Sequence, residues 1–145
     1  MTVTTKWYGL ASKHLAEGSI DWVNDDIMLM LTTSTYAVDQ DADEYVNDVT
    51  NEVSASGYTP GGAEITNRSL NYTGATNTLS YDGNNVIFTI TGTMTFRYGV
   101  IYSDTGTTST SPLIGYIDFG EDVSVTDDTL TINFDADGIF EDVVA

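Results

Sequence analysis

The sequence predicts a mainly β fold, an antiparallel sandwich or open barrel with a short N-terminal helix or arm and one short acidic helix. Three observations point there. From Val86 to Tyr102 apolar residues recur at almost every second position, the period of a strand with one buried face. The run Ile27-Met28-Leu29-Met30-Leu31 is apolar throughout and follows a turn-forming Asn24-Asp25-Asp26 triplet, which suits a strand covered on both faces. Short clusters of Gly, Asn, Asp and Thr separate these segments, without the long helical patterns that a βαβ rhythm needs.

The chain of 145 residues suits one domain, and 41% apolar residues suffice for one modest core. We divide it into an N-terminal arm or short helix over residues 1–19 and a single β domain over residues 20–145. There is no cysteine, so neither disulfides nor thiolate metal sites hold it together. No stretch approaches the ~18 apolar residues of a membrane span. The first residues lack the charged head and apolar middle of a signal peptide, so export by the usual route is not expected.

Charge is the most unusual property. Twenty-two acids face four bases, Lys6, Lys13, Arg68 and Arg97, for a net charge of -18. Nucleic acid is thereby a poor partner, because phosphate contact needs cations. Residues 1–16 hold two lysines and His14 but no acid, while the remainder carries all 22 acids against two arginines. A weakly basic end on an acidic body is a candidate docking end.

Along the chain, residues 8–17 place Leu10, His14 and Leu15 near one helical face, and Gly18 is a natural terminator. A helix this short must pack on something. Residues 39–49 suit one or two helical turns, with Asp39 or Asp41 as N-cap. Residues 54–62 read as a loop. Asp82-Gly83 is a hairpin signal between residues 78–81 and the strand that follows. The alternation over 86–102, taken as one strand, would span roughly 56 Å at about 3.3 Å per residue. That is too long for this domain, and Gly92 is where it bends, bulges or turns back. Residues 113–119 and 129–134 supply further strands, the second with Leu130, Ile132 and Phe134 inward. Residues 105–111 form a polar loop.

Few residues suggest chemistry. His14 is the only histidine, and no serine lies in a nucleophile-elbow pattern. No carboxylate pair stands out among 22, and no cofactor motif is present; enzyme is the weakest class. Residues 133–138 resemble the opening of a calcium loop, yet Val144 stands where the bidentate glutamate belongs. A β-turn there and a helix cap at 39–43 account for both alternating acidic stretches. Trp7, Trp22 and nine tyrosines offer stacking platforms for a carbohydrate, though Trp22 reads as core.

A combination of segments carries a resemblance. Ile20-Asp21-Trp22 precedes the apolar run 27–31. Tyr36-Ala37-Val38-Asp39-Gln40-Asp41 is followed by Asn51-Glu52-Val53 and Gly57-Tyr58-Thr59-Pro60-Gly61-Gly62. Then come Arg97-Tyr98-Gly99-Val100-Ile101-Tyr102 and the segment from Pro112 to Gly120. In this order they resemble a family of small structural proteins, capsid decoration or cement-like, of tailed bacteriophages, over about residues 7–140. The resemblance implies a non-enzymatic virion component on the capsid surface, made in the host cytoplasm, bridging subunits of the major capsid protein. A trimer is a common arrangement for such proteins. A tail or neck component and a carbohydrate-binding β-sandwich module are the alternatives. Within this reading, Lys6, Trp7, Tyr8, Lys13 and His14 are the expected partner contacts.

Overall fold

The computed structural model describes residues 3–144. Its centre is an antiparallel sheet of five strands in the order β1-β8-β7-β2-β3: β1 (Thr5–Trp7), β2 (Asp26–Thr32), β3 (Ala63–Glu64), β7 (Thr93–Asp104) and β8 (Leu113–Thr126). Strand β2 pairs with β7 along its whole length, from Asp26 opposite Asp104 to Thr32 opposite Tyr98. Its unbroken apolar run has the expected cause: Ile27, Leu29 and Leu31 enter the main core, while Met28 and Met30 pack on the opposite side. Full burial of each such side chain contributes about 1.5–3 kcal/mol.

A second layer covers one face. It consists of a three-stranded sheet in the order β10-β5-β4, from Phe140–Val143, Thr78–Asp82 and Ser69–Thr73, and a pair of strands, β6 (Val86–Thr89) and β9 (Thr129–Ile132). Trp22, Leu29, Ile101 and Ile117 share the main core with Phe88, Ile132, Tyr81 and Phe140. The two layers are joined by a bend in a double strand. Strands β7 and β8 pair as far as Thr93 opposite Thr126, and β6 and β9 resume at Thr89 opposite Thr129. At the bend Gly92 adopts φ 78°, its amide donates to Asp127 Oδ1 at 2.7 Å, and the Asp127 amide returns to the Gly92 carbonyl at 2.9 Å. Gly92 therefore breaks the long alternation as its position predicts, since a left-handed φ strains any residue with a Cβ.

The other face of the central sheet is covered by residues 33–49. Tyr8, Met30, Tyr36, Val100, Tyr102, Leu113 and Tyr116 form this smaller core, with Val38, Val46 and Val49 against it. The expected acidic helix is reduced to one 3-10 turn, Val46–Asp48. The acids explain the shortfall. Asp39 Oδ1 accepts the amides of Asp41 and Ala42, and Asp48 Oδ2 those of Glu44 and Tyr45, so side chains satisfy donors that a helix would have bonded itself.

Two further expectations are corrected. Asp82-Gly83 does not close a hairpin, because β5 pairs with β4 and β10 while β6 pairs with β9. Gly83 is there for closeness, since a Cβ on it would lie 2.6 Å from Ile65 Cγ2. Nor do the even positions from 86 to 102 share one face. Met94 and Phe96 belong to the main core, but Tyr98, Val100 and Tyr102 to the smaller one. The switch falls at Arg97, where residues 119–122 bulge out of β8 and the register shifts.

The N-terminal segment holds both a strand and a helix. Strand β1 pairs with β8, placing Trp7 opposite Gly115, and α1 (Ala11–Glu17) follows, ended by Gly18 at φ 79°. Of residues 1–19, expected as an arm or short helix, those described, 3–19, are woven into the domain through β1, and α1 buries Ala11 and His14. Trp7 stacks on Phe140 with centroids 4.4 Å apart, and Phe140 lies directly over Gly115, which has no room for a Cβ. The edge of β1 is tied to β10 by Thr5 Oγ1, which donates to the Ile139 carbonyl, and by Trp7 Nε1, which donates to the Glu141 carbonyl at 3.2 Å.

Candidate partner-binding surface

The five residues expected to meet a partner divide into two groups. Lys6 and Lys13 are exposed and Trp7 is half-buried. Tyr8 and His14 lie inside, so their part in this segment is packing. The Tyr8 hydroxyl is 2.8 Å from the Tyr36 hydroxyl, which donates to Asp43 Oδ2 at 2.6 Å. Burial, foremost, pushes both phenols well above the ordinary tyrosine pKa, so each stays a neutral hydrogen-bonding group. His14 Nε2 sits 2.9 Å from Glu44 Oε1, while its buried Nδ1 has no hydrogen-bond partner among the described residues.

The basic character of this end is largely met locally. Lys13 pairs with Glu17 at 3.4 Å, and His14 with Glu44. Elsewhere Arg97 binds Asp118 at 2.8 Å and holds that carboxyl below the ordinary aspartate value, with the Gly120 amide assisting. The Arg68 side chain is buried. It donates to the carbonyls of Trp22, Val23, Asp25 and Ile65 and pairs with Glu64 at 3.1 Å. It gathers one corner of the fold and offers no free charge for a ligand.

Many of the acids are occupied by the chain's own loops. Asp21 accepts amides of Val23 and Asn24, Glu52 that of Gly61, Asp104 that of Gly106, Asp118 that of Gly120 and Asp135 that of Asp137. These bonds fix turns that would otherwise be mobile. Residues 135–138, the nearest approach to a calcium loop, form such a turn, with the Gly138 amide bonded to the Asp135 carbonyl at 3.1 Å. Among the described residues no group of three acids or histidines is placed to hold a metal ion.

Two surface features bear on binding. One is a cleft of about 350 Å³ lined by Trp7, Leu15, Gln40, Asp41, Tyr81 and Asp142. The other is strand β4, the free edge of the three-stranded sheet. All five of its residues are exposed, and Leu70 and Tyr72 are 46% and 53% exposed. Sequence reading missed β4, because Ser69-Leu70-Asn71-Tyr72-Thr73 has too few apolar residues to stand out from a loop. Its alternation was the available signal.

A scan against protein-family models, a search of curated proteins and a search of solved structures each found no match.

Proposed function

We propose that this chain is a non-enzymatic structural protein of a tailed-phage virion, placed on the capsid surface as a decoration or cement protein against the major capsid protein. One structural observation carries the reading beyond the sequence resemblance. The chain ties many of its acids into its own loops, and leaves an uncharged strand edge and half-exposed apolar side chains at its surface. That is the chemistry of a rigid tile, which works by covering a joint between subunits. The segments behind the resemblance supply β2, the central part of β7, the first half of β8 and nearby loops, so it concerns the scaffold. The exposed Lys6 and Lys13, with half-buried Trp7 between them in the chain, remain the proposed contact at the N-terminal end.

Cryo-electron microscopy of purified particles tests this directly. Density for the chain repeating over the icosahedral shell, between major capsid subunits, is the expected result. Absence of the chain from particles would overturn the virion reading, and confinement to the tail would move it to the tail or neck alternative. The cleft beside Trp7 favours a second reading, a carbohydrate-binding module, because an aromatic wall next to carboxylates and an amide suits a sugar's apolar face and hydroxyls. A glycan titration that is abolished by Trp7→Ala would establish it.

A further inference from the structure

We propose that β4 is a self-association edge: two copies of this chain pair β4 with β4 antiparallel about a twofold axis through Asn71, making one six-stranded sheet from two three-stranded ones. The inference does not rest on the virion reading.

Three observations carry it. The first is that the edge is free. Strand β4 pairs only with β5 among the described residues, and every residue from Ser69 to Thr73 is exposed. An open edge of unpaired N–H and C=O groups is a template for another strand, and proteins that must stay monomeric place charges or proline on it. Here neither is present.

The second is charge. On a chain with net charge -18, residues 65–81 contain no aspartate or glutamate. The one cation among them, Arg68, has a buried side chain paired with Glu64. Two copies repel one another over most directions of approach, and this strand carries no charge of its own, its nearest acid across the sheet being Asp82 opposite Ser69. A strongly basic partner would instead be drawn to the acidic remainder of the surface, which is why a second copy fits this edge better.

The third is self-complementarity. Antiparallel pairing about Asn71 sets Leu70 against Tyr72 of the second copy, twice over, on one face of the sheet. On the other face Ser69 meets Thr73, and the Asn71 amides meet each other. All these pairs are of the kinds that stabilise a ladder, with no like charges opposed. Leu70 and Tyr72 also continue an apolar strip already present, since they stand opposite Tyr81 and Leu79 of β5. Tyr81 in turn stands opposite Phe140 of β10. At the rim Arg68 faces Gly74, which presents no side chain.

A contact of five residues per copy is small beside the ~1,000 Å² of a stable interface, so the dimer is weak in dilute solution. Crowding of copies on a surface would raise its occupancy without any new contact.

The test is sedimentation equilibrium of the full chain up to about 1 mM, in low and high salt. Reversible dimerisation is expected, at least about tenfold stronger in high salt because screening removes the repulsion. Asn71→Asp and Asn71→Lys, both at an exposed site, should each fold normally by circular dichroism. Each alone should lose at least about tenfold in association, as like charges then face each other across the axis. An equimolar mixture should recover it as a heterodimer. A chain that stays monomeric at every concentration and salt overturns the proposal. So does a dimer that both variants leave unchanged, and a mixture that fails to recover overturns the pairing about Asn71.

Discussion

The two flanks of this molecule treat exposed backbone and polar groups in opposite ways. On the β1 side, Thr5 and Trp7 bond to carbonyls beside β10, Phe140 lies across Gly115, and residues 33–49 cover the central sheet. Hydroxyls enclosed there are bonded, Tyr8 to Tyr36 and Tyr36 to Asp43. On the β4 side a strand of similar modest length has no cover at all. The difference teaches that the open edge is not a general looseness of the fold. The same chain closes an edge where long-range partners exist, and leaves one bare where they do not.

The largest expected effect tests the enclosed tyrosine hydroxyls, on the β1 flank and elsewhere, at high pH. Tyr8, Tyr36, Tyr58 and Tyr102 all have pKa values pushed above the ordinary 10.0, with burial the leading cause. Each keeps its proton in the folded chain where the unfolded chain has lost it. Their contribution is therefore fully present below pH 10 and declines as pH rises past that value. The decline is about 1.4 kcal/mol per pH unit for each tyrosine, or about 5.5 for the four together. Urea unfolding at a series of pH values, followed beside tyrosinate absorbance, should show these phenols ionising only as the chain unfolds. Their independent titration in the native chain would show that these hydroxyls are open to water.

Gly115→Ala comes next, because its methyl group would meet the Phe140 ring and would lie 2.5 Å from the Lys6 carbonyl. Either β1 or β10 must move, so a loss of about 3 kcal/mol in chemical denaturation is expected. Tyr58→Phe follows at about 2 kcal/mol. The Tyr58 hydroxyl accepts from the Leu31 amide at 3.0 Å and donates to Glu52 at 2.8 Å, and its removal strands a buried donor. On the open flank Tyr72→Lys should change stability by no more than about 0.5 kcal/mol. A larger loss there would mean that β4 is held by contacts within the chain, and the contrast between the flanks would fail.

Much of this arrangement is legible in the residues, and the failures share a cause. β2 is readable because five consecutive apolar residues leave few other possibilities. The break at Gly92 is readable because an alternation of that length cannot fit the domain. The turn over 135–138 follows from its own acids and glycine. What escapes the sequence depends on residues far along the chain. The change of face at Arg97 is set by the bulge at 119–122, on another strand. Asp82-Gly83 has the local chemistry of a hairpin, but its glycine answers to Ile65. The N-terminal contacts divide for the same reason. Nothing near Tyr8 in sequence announces Tyr36, and nothing near His14 announces Glu44, yet these partners draw both side chains inward and leave Lys6 and Lys13 outside.

The ties from Thr5 to Ile139 and from Trp7 to Glu141 each join residues 134 positions apart. Closing a loop of that size costs chain entropy before its contacts repay it, and folds dominated by such contacts form in milliseconds to seconds. In a chain still being synthesised, β1 has no β10 to meet until Phe140–Val143 have been added. The β1 edge therefore stays open while all the strands between β1 and β10 are being added, and the seam between the two forms after them.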